Sequence, residues 1–181
     1  MTRAASARAL AASLTLSLLH GCVEAVPPPE EPTEPGAPAT PSTPVEFELA
    51  GLDGGVVRAS DLRGRLALVV VAATYDTASQ AAVSMASAVV RRHRPRMNGL
   101  LVVLEPEANR PLVQAFVAAL ELSFGVALAD AAALGEPSAL GGIRHVPSFV
   151  LLDREGREVW RRVGLANVDV LEAAVREHDH P

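Results

Sequence analysis

The sequence predicts an α/β domain with a mixed central sheet, and three observations carry that prediction. Residues 66–73 (LALVVVAA) and 99–104 (GLLVVL) are apolar without interruption, as strands buried on both faces are. Each is followed by a stretch with helical spacing of apolar residues. A third apolar run, 148–152, passes through the turn Asp153-Arg154-Glu155-Gly156 into a further strand-like segment, the pattern of a β-hairpin.

Taken in order, the elements justify themselves locally. The strand at 66–73 leads to a helix from Thr77 to about His93. Thr77 and Gln80 have capping-box spacing there, and Ala82, Met85 and Val89 share one face. Arg91, Arg92, His93 and Arg94 stand at its end, where cations complement the helix dipole, and Pro95 stops it. The strand at 99–104 precedes a helix over 110–122 with Pro111 in its first turn. The hairpin spans 148–152 and 157–163, and a helix over 169–177 closes the domain. Strand–helix–strand–helix–strand–strand–helix is an α/β order.

The first 44 residues are of another kind. Arg3 and Arg8 precede a ten-residue apolar run, 10–19, whose helical length of about 15 Å is too short for a bilayer core of about 30 Å. Residues 1–21 therefore read as a secretion signal. Leu19-His20-Gly21-Cys22 resembles the bacterial lipobox, which implies cleavage before Cys22 and lipidation of its thiol. Val23, in the position after the cysteine, lacks the aspartate of the enteric inner-membrane sorting rule. The resemblance to that rule favours an outer-membrane anchor facing the periplasm. Residues 22–44 hold eight of the 14 prolines together with Glu24, Glu30, Glu31 and Glu34, the composition of an extended, disordered tether. The folded domain is then 45–181.

Composition narrows the function. All 16 basic residues are arginines, set against 21 acidic ones for a net charge of −5. That balance argues against a nucleic-acid binder, and 3% aromatic residues argue against a stacking surface for single strands. Cys22 is the one cysteine, so the chain has no CxxC pair, internal disulfide or thiolate metal site.

Two stretches carry a resemblance. Phe47-x-Leu49-x-x-Leu52-Asp53-Gly54, followed by Ser60-Asp61-Leu62-Arg63-Gly64, and later Gly142-Ile143-Arg144-His145-Val146-Pro147-Ser148-Phe149 with Val163-Gly164, resemble TlpA-type membrane-anchored thiol–disulfide oxidoreductases of the redoxin family. The resemblance implies a thioredoxin-like three-layer sandwich, a cis peptide at Pro147, and a loop there that faces the start of the first long helix. It also implies a W-C-x-x-C motif where this chain reads Tyr75-Asp76-Thr77-Ala78-Ser79. Asp76 and Ser79 stand where the cysteines belong. Thiol–disulfide exchange runs through a thiolate and a mixed disulfide, which a carboxylate and a hydroxyl cannot form.

Several roles stay open for these residues. Asp76 reads as a helix N-cap or as a ligand-facing acid. Ser79 reads as a solvated or locally bonded hydroxyl, or as a nucleophile if a base is in reach. His145 reads as a satisfied structural histidine, or as a partner that converges with Asp76 and Ser79 on hydrolysis or on a metal. Two such ligands are few for a metal, and neither a metal nor a cofactor is expected. Tyr75 reads as packing at a strand end or as an apolar contact beside a groove. Trp160 reads as core or edge packing, and His178-x-His180 as a frayed polar tail or a weak chelate. The resemblance also implies that the backbone at Val146 and Pro147 pairs with an extended peptide by strand addition, which needs no cysteine. The expected function is a redox-inactive envelope lipoprotein that binds an extended peptide segment or an envelope protein. The alternatives are an accessory role in a periplasmic thiol–disulfide pathway, and a cysteine-free site at Asp76 and His145.

Overall fold

The structure is a computed structural model that describes residues 43–129, 140 and 143–179. The predicted signal segment, Cys22, nearly all of the tether, Gly142 and His180 lie outside the described residues. Among the described residues seven strands form one mixed sheet: β1 (Glu48–Gly51), β2 (Val56–Arg58), β3 (Leu66–Ala72), β4 (Met97–Leu104), β5 (Gly125–Ala129), β6 (Ser148–Leu152) and β7 (Glu158–Val163). Their order is β2-β1-β5-β4-β3-β6-β7. β3, β4 and β5 are parallel to one another, and the remaining pairings are antiparallel. Among the described residues there are three α-helices: α1 (Thr77–His93), α2 (Arg110–Ala119) and α3 (Val168–His178).

The sheet is covered on both faces, which explains why β3 is buried along its whole length. Leu66, Leu68, Val70 and Ala72 pack with Ala82, Val83 and Ala86 of α1, Val113 of α2 and Leu171 and Val175 of α3. The alternate residues Ala67, Val69 and Val71 pack with Val45, Leu49, Ala59, Leu62, Leu140 and Ile143. The result is three layers, with a helical layer, the sheet, and a layer of N-terminal segment and short turns. Phe149 is among the largest fully buried side chains and fixes β6 to the helical side. Glu172 of α3 accepts hydrogen bonds from Arg92 (2.6 Å) and pairs with His93 (2.8 Å), both on α1, clasping the two helices at that end. Burial raises the Glu172 carboxyl's pKa, but the bonds to His93 and Arg92 outweigh it and hold it below the ordinary value.

The four predicted strands and three helices are all present, with corrections. β1, β2 and β5 were not predicted: β1 and β2 are short and half-exposed, and β5 is a five-residue stretch rich in alanine. α2 ends at Ala119 rather than at residue 122. Glu121, at φ 48, turns the chain into the left-handed region, while Leu122 N–H bonds Val117 O and Glu121 N–H bonds Ala118 O. That is a Schellman ending built on a residue other than glycine. The Thr77–Gln80 capping box does not form, because Asp76 caps α1. Arg94–Pro95 is cis beside the end of α1, and α3 extends through His178, which is therefore helical rather than part of a frayed tail.

Candidate functional site

The strand ends of β3, β4 and β6 converge on the junction between β3 and α1. Asp76 is extended there and its carboxylate caps α1: Oδ2 accepts from Ser79 N–H (2.7 Å) and from Ser79 Oγ (2.6 Å). The Ser79 hydroxyl and amide, in that order, hold the Asp76 carboxyl below the usual carboxylate range. Ser79 is fully buried, and its Oγ also accepts from Ala73 N–H at 3.2 Å. Its hydroxyl is thus locally bonded and not solvated, with its proton directed at Asp76 and a lone pair given to the backbone. A nucleophile needs a base free to take its proton, and this arrangement instead closes the helix end.

A second buried group lies alongside and was not singled out in the sequence. Glu105, just past β4, accepts from Thr74 Oγ1 and from Asn109 Nδ2 (2.8 Å), tying the segment before Asp76 to the entry of α2. The one sequence signal for it is an acid placed directly after an apolar strand, which also describes an ordinary solvated turn.

The Pro147 loop flanks this junction. Ser148 pairs with Val71 in the sheet, which sets Pro147 beside the end of β3. Val146–Pro147 is cis. Ser148 Oγ donates to His145 O (2.7 Å), and Gly164 N–H donates to Pro147 O (2.8 Å). Gly164 has φ 85, where a side chain would be strained. Val146 is half-buried against the core on the side of Val45, Leu49 and Ile143, and its backbone N–H and C=O bond no other described residue.

Exposed apolar side chains gather around the loop. Tyr75 is 79% exposed, Val163 48% and Leu165 46%, which makes three of the five large hydrophobics exposed among the described residues. Val163 lies opposite Ser148 and Leu165 follows Gly164, so both border the Pro147 loop. Tyr75 is therefore presented to solvent rather than packed at the strand end. In sequence Val163 stands out only within the Val163-Gly164 motif and Leu165 not at all, since neither residue type signals exposure. Trp160 packs against the helical-side core, as expected.

The structure brings Asp76 and Ser79 together, and His145 bonds neither of them. His145 is exposed, and among the described residues its ring has no hydrogen-bond partner, so no base is bonded to Ser79 there other than Asp76. No group of three or more metal-ligating side chains is assembled among the described residues. No helix there is long and apolar enough to cross a membrane.

Comparisons with known proteins agree on the architecture. No protein-family model matches the chain. No curated protein sequence matches it either. Solved structures do. A thiol:disulfide interchange protein DsbE of Chlorobium tepidum superposes with a TM-score of 0.66 at 21% identity, over 78% of this chain and 99% of the other. A secreted thiol-disulfide isomerase of Corynebacterium glutamicum gives 0.69 at 16% identity, over 81% and 91%. The exposed lipoprotein thioredoxin of Streptococcus pneumoniae gives 0.60 at 20% identity, over 74% and 99%. At these identities the likeness establishes the thioredoxin-like fold.

Proposed function

We propose that this chain of thioredoxin-like fold is a redox-inactive envelope lipoprotein that binds an extended peptide segment, or a protein presenting one, at the Pro147 loop. The observation that carries the reading is a contrast within one site. Where the redox-active fold needs two thiols, Asp76 and Ser79 satisfy each other. Beside them the Val146 backbone and the exposed Tyr75, Val163 and Leu165 remain available. A peptide adding to the Val146 edge gains main-chain hydrogen bonds, and the three apolar side chains supply contacts for its alternate residues. Lipidation at Cys22 and the proline-rich tether hold the domain at the membrane, on the reading of the sequence.

The thiol–disulfide names of the structural neighbours favour a second reading, that the chain holds substrates or a partner within such a pathway. It differs from the first only in the partner, which then carries cysteines. Crosslinking and co-purification of the full chain from its own envelope tests both readings. A partner is expected to be enriched by the native chain, retained by Asp76→Asn and lost by Tyr75→Ala/Leu165→Ser, whose side chains are exposed and spare the core. Loss with Asp76→Asn and retention with the double variant contradicts the groove.

A further inference from the structure

The opposite end of the sheet carries a different surface. Arg65 precedes β3, and Arg94 and Arg96 precede β4. Arg65 and Arg94 line one cleft of about 370 Å³ with Pro95, Met97, Asn98 and Phe124. All three arginines are exposed. Arg94 donates to a carbonyl, Ser123 O, and Arg65 and Arg96 bond no described side chain. The arginines around them are otherwise engaged: Arg63 pairs with Glu46, Arg92 with Glu172, Arg154 with Asp179, and Arg157 with Asp153 and Glu155. Among the described residues no carboxylate therefore pairs with Arg65 or Arg94 at the cleft, or with Arg96 just before β4.

The described chain also begins at this end. Val45 N–H bonds Gly156 O, and Gly64 N–H bonds Arg154 O, so residues 43–46 lie against the β6–β7 turn and the entry to β3. The Pro147 loop is at the far end, beside the C-terminal end of β3.

We propose that this face, centred on Arg65, Arg94 and Arg96, docks on the phosphates of an anionic phospholipid surface and turns the Pro147 loop away from it. A chain with net charge −5 is repelled by such a surface as a whole, so binding requires a local cationic face. Guanidinium suits phosphate because its planar fork donates two parallel hydrogen bonds. The lipid-anchor reading supplies the setting, since a tethered domain meets the bilayer at high effective concentration. The docking itself uses neither the anchor nor the peptide groove, so either can fail independently of it.

The test is co-sedimentation of the full, unacylated 181-residue chain with vesicles of phosphatidylcholine alone, or containing roughly one-third phosphatidylglycerol. Arg65→Gln/Arg96→Gln is compared with Arg58→Gln/Arg144→Gln, an equal change of net charge at two exposed positions elsewhere, one of them paired with Glu48. All versions share residues 1–42, so the apolar leader contributes equally, and the neutral vesicles measure that contribution. An arginine near an anionic surface strengthens binding roughly fivefold. Arg65→Gln/Arg96→Gln is therefore expected to lose about tenfold or more of its partition onto anionic vesicles and none onto neutral ones, while the control pair stays near the native chain. Equal losses by the two pairs, which would reflect net charge alone, overturn the proposal, as does no loss by Arg65→Gln/Arg96→Gln.

Discussion

Ser79 Oγ sits between two obligations, giving its proton to Asp76 and accepting the N–H of Ala73. Removing the hydroxyl orphans a buried amide, so Ser79→Ala is expected to cost about 1–3 kcal/mol in denaturant unfolding. Asp76 makes its contribution only when ionised. Its native pKa is depressed, so the stabilisation is complete above the unfolded carboxylate range and is lost as pH falls through the lower native value. Thermal melts of the native chain and Asp76→Asn should therefore differ at neutral pH and converge in acid; a constant gap would place the effect elsewhere. The same positions give a chemical test. Asp76→Cys/Ser79→Cys should close an intramolecular disulfide and exchange it with dithiothreitol, whereas the native chain, with Cys22 alone, should not. A double variant whose thiols stay open would show that these two positions are not spaced as a dithiol pair. The sequence made Asp76 legible as a helix cap, because a carboxylate suits a helix start, but its spacing pointed to Thr77 and Gln80 and not to Ser79 as the capping partners. It could not show that Ser79 is buried or that His145 is exposed, since both depend on how distant strands meet.

Elements were read most securely where a run is buried on both faces. β3 is the clearest case, since seven apolar residues in succession leave no other structure to assign. β1 and β5 escaped because each draws its stability from strands far along the chain: Ala50 lies opposite Leu128, and Leu101 beside Val126. Such pairings leave little local pattern. The end of α2 was misread for a related reason, as nothing in the composition marks Glu121 for the left-handed region. Glycine adopts that conformation without a Cβ penalty, so Glu121→Gly should stabilise the protein by about 0.5–1 kcal/mol in denaturant unfolding. The reverse change is expected at Gly164, where Gly164→Ala should cost about 1–2 kcal/mol and loosen the bond to Pro147 O. Equal stability of Gly164→Ala would mean that the Pro147 loop does not depend on that turn.

At the scale of the whole molecule, the parallel strands give the domain two unlike ends. One end gathers the strand termini of β3 and β4, the capped start of α1, the cis-proline loop and three exposed apolar side chains. The other receives the chain from its N-terminal segment and exposes arginines without carboxylate partners. The fold was legible in sequence because its motifs lie in order along the chain. The apolar rim was not, because Tyr75, Val163 and Leu165 are distant in sequence and come to the same end of the sheet only through the register of β3, β6 and β7. The central claim is that this rim holds a polypeptide. The most direct measurement replaces Tyr75 with a photo-crosslinking phenylalanine analogue in the native envelope. A parallel chain carries the analogue at Val56, an exposed residue on the far edge strand. A discrete protein adduct is expected from position 75 and none from position 56. No adduct at 75, or the same adducts from both positions, would contradict that claim.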